Sequence, residues 1–195
     1  MLSLSRLIVV LSVILSLTVP TPGFSYGEGE GEGQGGGGGG AGLTNATTKT
    51  VVRTITSGLA RCQRVERVYR FDCYRQTYRL AASLLNGRPA YRDALKALEL
   101  VEAALDKVMD RNVDPNVRLK RQGFQTYRAI KPAAIPRATA EMDRALDKAE
   151  TILLRAPDRT GNHYARIAEA VHSNKVLLRS RLYPEGEDLF RTAVA

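Results

Sequence analysis

From Val51 to Leu182 apolar residues return at steps of three and four, and no stretch after Thr44 alternates strictly over more than four residues. That spacing puts the apolar side chains of each segment on one face of a helix. The first stripe is Val51, Val52, Ile55, Leu59, Cys62, Tyr69, Cys73, Leu80 and Leu84, and it ends at Asn86-Gly87. The second runs Tyr91, Leu95, Leu98, Val101, Leu105 and Val108, after Pro89 and before Asp114-Pro115. The third holds Ile135, Ala138, Met142, Leu146, Ala149 and Leu153, and Pro157 ends it. The fourth holds Tyr164, Ile167, Ala168, Val171, Leu178 and Leu182 before Pro184. A helix with a single apolar face must bury it against others. The expectation is an all-α bundle of about four to five amphipathic helices over residues 43–183, with 184–195 as a tail.

What precedes this domain is of a different kind. Arg6 stands before an uncharged run, Leu7 to Val19, which is short of the roughly 20 residues a membrane span needs and is followed by Pro20 and Pro22. Residues 1–25 therefore read as a signal peptide cut before Tyr26. Residues 26–42 are almost wholly Gly and Glu and cannot offset the entropy of ordering, so a disordered tether is expected. The chain is thus placed in a bacterial periplasm or outside the cell. Taking Arg6 and the three tether glutamates from 29 Lys+Arg and 20 Asp+Glu leaves 28 basic and 17 acidic residues, a charge of +11 on the helical part.

Cys62 and Cys73 are the only thiols. On an unbroken helix their eleven steps would hold the Cα atoms about 16 Å apart, whereas a disulfide needs about 4.4–6.8 Å. One continuous helix and one intrachain bond therefore exclude each other. The unbroken apolar phase, and the lack of Gly or Pro between the two, argue for the helix. An oxidising compartment argues for the bond, and so for a helix–turn–helix pinned by Cys62–Cys73. Free buried thiols and intermolecular bridges are the alternatives. The stretch Cys62-Gln63-Arg64-Val65, continued by Arg70-Phe71-Asp72-Cys73-Tyr74, is similar to a motif of some exported bacterial proteins, certain of them associated with type VI secretion. There a Cys, an aliphatic residue three positions on, and a Cys-aromatic step open a helix. This chain has one residue fewer between the cysteines, and Arg75 where an Asp is usual. The resemblance implies a disulfide-pinned helix start without a catalytic residue.

The positive charge has two dense stretches. On a continuous helix Arg53, Arg61, Arg64, Arg67, Arg75 and Arg79 would share one face. Between Asn116 and Ala140 lie Arg118, Lys120, Arg121, Arg128, Lys131 and Arg137 with no acid, interleaved with Phe124 and Tyr127. Arg64, Arg67, Arg75, Arg118, Lys120, Arg121, Arg128 and Lys131 are the candidate anion contacts, because cations beside aromatics can hold an anionic polymer or lipid. Such a face also serves simply as solvated surface, its Arg stems covering apolar neighbours.

Catalytic patterns are sparse. Glu169-x-x-His172 has di-iron spacing, but that chemistry needs two such pairs. The acidic runs Glu99, Glu102, Asp106, Asp110 and Asp143, Asp147, Glu150 have Lys96, Lys107, Arg144 and Lys148 within helical reach, the arrangement of a paired outer face. His163 has no partner at useful spacing. No zinc, phosphate-loop, dinucleotide or nucleophile-elbow motif occurs. The expectation is a non-enzymatic protein without metal or cofactor. Its partner would be another envelope protein, an anionic lipid or polysaccharide, or a second copy of itself. Nucleic acid is not expected outside the cytosol.

Overall fold

The computed structural model describes residues 42–156 and 162–182, with side chains to Val176. The leader, the tether as far as Ala41, and the tail with Leu189 and Phe190 lie outside these residues. The described part is all-α, with five helices and one small hairpin: α1 Asn45–Gln63, α2 Arg70–Ser83, α3 Arg92–Asn112, β1 Lys120–Gln122, β2 Gln125–Tyr127, α4 Ile135–Arg155 and α5 His163–Leu182.

The helix starts follow local chemistry. Thr44, in extended backbone, accepts from the Thr47 N–H at 3.2 Å and caps α1, meeting one of the donors a helix start leaves open. Pro89 and Pro132 open short 3₁₀ turns that lead into α3 and α4, positions where a missing N–H is no loss. Each helix packs on the next, and α5 closes the ring against α1. The core inside holds Leu98, Val101, Leu105, Met109, Met142 and Leu146, all fully buried. The described residues of the expected stripes are buried or partly buried, Val52, Leu84, Leu95 and Ile135 being the partly buried ones, except for Leu80, which is 47% exposed. Leu178 and Leu182 lie beyond the described side chains.

The first stripe does not belong to one helix. α1 ends at Gln63, Glu66 is extended, and a 3₁₀ turn over Arg67–Tyr69 leads into α2. The Cys62–Cys73 disulfide is formed, with Cα atoms 5.5 Å apart. No glycine makes this turn. The Arg70 guanidinium reaches back to the carbonyls of Val65 at 2.8 Å and Gln63 at 3.1 Å, satisfying acceptors that the end of α1 leaves open. Val65 and Phe71, on either side, are buried, so the apolar phase survives the reversal and cannot reveal it. α1 and α2 also meet closely. A Cβ on Gly58 would lie 2.4 Å from Thr77 Cγ2.

Three polar joints, two of them buried, tie the ring. Thr48 Oγ1 shares 2.8 Å hydrogen bonds with the Tyr91 hydroxyl and with His163 Nδ1, and Tyr91 donates to the Thr44 carbonyl. The starts of α1, α3 and α5 are thereby joined, and His163 finds its partner 115 positions away. Asn174 donates to the Tyr78 hydroxyl at 2.9 Å, joining α5 to α2. Arg75 bridges Asp72 at 2.7 Å and Asp106 at 3.0 Å, joining α2 to α3.

Candidate functional site

The α3–α4 connection carries the unusual surface. Its ends are zipped to the bundle: Asp114 N–H donates to the Ala129 carbonyl, Lys131 N–H to the Asn112 carbonyl and Ile130 N–H to the Val68 carbonyl, each at 2.9 Å. Between these ties β1 and β2 pair antiparallel, Lys120 opposite Tyr127 and Gln122 opposite Gln125. Gly123 and Phe124 make the two-residue turn. Gly123 has φ +60°, which the first central position of a type II′ turn requires.

Residues two apart share a face of a strand. Tyr127 is fully buried, so the Lys120–Tyr127 side of the hairpin faces the bundle. The opposite side is Arg121 and Thr126, continued by Leu119. Leu119 is 63% exposed and the Phe124 ring, at the tip, is 108% exposed. Val117 is also exposed. Large apolar groups exposed along one loop mark a surface that other surfaces can cover.

Asp72 anchors this hairpin. It is 1% exposed, and it accepts from the Arg128 N–H at 2.8 Å and from Arg75 Nε at 2.7 Å. Gln76 donates to the Thr126 carbonyl, and the Tyr69 hydroxyl to the Arg118 carbonyl, both at 2.9 Å. Lys120 Nζ meets Glu66 at 2.9 Å, and that bond holds the ammonium pKa above its ordinary value. The hairpin therefore stands on α2 and on the turn that the disulfide closes.

The expected anion contacts divide in this frame. Arg64, Arg67, Arg118, Arg121 and Lys131 are exposed, and no ion pair joins them to another described residue. Arg64 and Arg67 lie in the α1–α2 turn, whose Glu66 holds Lys120, so the two basic stretches meet there. Arg128 is partly buried, 3.6 Å from Asp72. Arg75, expected as an anion contact, is not one, because its guanidinium is engaged inside the bundle. It is 9% exposed and bound internally. The single Arg53–Arg79 face does not exist, because the chain reverses within it. Tyr127, expected beside Phe124 as a stacking ring, is core; burial raises its hydroxyl pKa.

Four residues of the acidic runs pair across helices. Glu102 and Asp106 meet Arg79 and Arg75 of α2, and Arg79 is raised in pKa chiefly by its bond to Glu102. Asp147 and Glu150 meet Lys175, and Glu150 also meets His172 at 3.1 Å, both partners from α5. No group of three potential metal ligands occurs among the described residues. An open groove of about 310 Å³ lies between α3 and α4, lined by Leu100, Ala103, Ala104 and Ala145 with Lys107 and Lys148. Phe124 and the basic residues of the loop are visible in the sequence. Leu119 carries no sequence sign of its exposure, because the three-residue strands are too short for an alternation signal. Gly123-Phe124 between polar residues was the only trace of the turn. Among the described residues, no helix is long and apolar enough to cross a membrane. No protein-family model matches the chain, and neither does any curated protein or solved structure.

Proposed function

We propose that this chain is a non-enzymatic binding protein of the bacterial envelope, exported by its leader and presenting the Val117–Arg128 loop to another envelope component. Phe124 carries this reading. A large exposed ring stands at the tip of a loop whose base is tied to the buried Asp72 carboxylate of the bundle. Holding such a ring in water is unfavourable, and the anchoring below it keeps it there. A disulfide in the platform suits an oxidising compartment. An adaptor for a protein and a binder of anionic surfaces would share this contact element.

Capture by isolated envelopes tests the assignment. Leu119→Ser/Phe124→Ser is expected to lose most of the capture, and Lys107→Ala/Lys148→Ala in the α3–α4 groove to retain it. Retention by the hairpin variant at the level of the unchanged chain would remove the hairpin as the contact.

A further inference from the structure

Building on the hairpin as contact element, we infer that its occupant is an anionic lipid surface, with Phe124 entering the interface and the neighbouring cations meeting lipid phosphates. Three observations favour a lipid surface over a protein. The tip is convex. Phe124 has no walls around it, and a ring at 108% exposure needs a deformable apolar medium or a matching pocket elsewhere. The charge complements an anionic bilayer: from Asn116 to Ala140 there is no acid, and Arg118 and Arg121 are exposed and form no ion pair with a described residue. The two platform acids that bond the hairpin segment are both engaged, Glu66 by Lys120 and Asp72 by Arg75 and Arg128.

The third observation is rank order. Arg121 stands two residues behind the turn, roughly 7 Å at about 3.3 Å per residue. Interfacial elements bury their apolar groups about 5–10 Å into the headgroup and acyl boundary. With the Phe124 ring at that depth, Arg121 reaches the phosphate level, and Arg118, Arg67 and Lys131 follow from the base. Leu119 shares the outward side with Arg121 but stands two residues further from the tip, behind the phosphate level. Attraction of each cation to an anionic surface is short-ranged and screened by salt.

The test uses the chain as isolated from the producing cell's envelope, with its disulfide formed. Sedimentation is measured with vesicles of phosphatidylcholine alone and of phosphatidylcholine and phosphatidylglycerol in equal parts. Binding is expected to the mixed vesicles, falling as salt rises. Phe124→Ala should weaken it about tenfold, and Arg121→Ala about fivefold. The chain has no Trp, so Phe124→Trp introduces a single reporter, and its emission should shift to the blue on mixed vesicles only. Unchanged helical circular dichroism verifies that each variant is folded. Equal binding to both vesicles, an unshifted reporter, or binding to a soluble anionic polysaccharide without binding to mixed vesicles overturns the inference. If mixed vesicles fail to bind while Phe124→Ala still abolishes envelope capture, the lipid assignment falls and the contact element stands. If the variants also leave capture unchanged, both fall.

Discussion

At the residue scale, the contact between α1 and α2 turns on one hydrogen. Gly58 is buried, and an added Cβ would lie 2.4 Å from Thr77 Cγ2 and 2.8 Å from its Oγ1. Thr77 is itself buried, and its hydroxyl lies 3.6 Å from the Cys62 sulfur. A rotation that cleared the clash would be confined by the core. Overpacking of this kind costs about 1–3 kcal/mol, against at most about 1 kcal/mol gained from the better helix propensity of Ala. Gly58→Ala is therefore expected to lower the urea-unfolding free energy by about 1–2 kcal/mol. Thr77→Ala made in that background should recover part of the loss, and a recovery of nothing would show that the strain lies elsewhere. In sequence this glycine is only a weak helix residue. Its need for close approach comes from a residue nineteen positions on.

At the scale of elements, the disulfide-closed turn is the platform of the hairpin. Glu66, Tyr69 and Asp72 all lie between or beside the two cysteines, and each bonds the hairpin. Opening the disulfide therefore loosens two elements at once. Loss of the cross-link itself is worth roughly 3 kcal/mol for a short loop. Cys62→Ala/Cys73→Ala is expected to unfold at lower urea by about that amount. Amide hydrogen exchange of Thr126 and Arg128 should quicken more than exchange in the α3–α4 core. Uniform acceleration across all five helices would mean that the turn gives the hairpin no special support. The sequence posed this turn as an alternative between one helix and two. It left the choice open because Arg70, a side chain, does the capping for which a glycine would have been a visible sign.

At the scale of the molecule, the ring of helices is closed by α5, whose Asn174 holds the hydroxyl of Tyr78 in α2. Burial pushes the Tyr78 hydroxyl far above its ordinary pKa, and that of Tyr127 upward as well. In the unfolded chain both ionise at about 10. Above that pH the unfolded state binds fewer protons than the folded one, so stability is full below about 10 and falls as pH rises further. Urea midpoints should hold steady up to that point and then drop. Tyr78→Phe should start less stable but lose less on the same rise. An identical alkaline loss in the variant would exclude Tyr78 as a source. By itself, the sequence determined the helices, their buried faces and the all-α class, because the apolar period of a helix is a local property. It also located the cations and Phe124. Tertiary structure decided the rest. The reversal at Arg64–Glu66, the removal of Arg75 into a bridge between α2 and α3, the burial of Tyr127 and the exposure of Phe124 each depend on partners far along the chain. Whether a cation or a ring faces water is set by what packs beside it, and one-dimensional spacing does not carry that information.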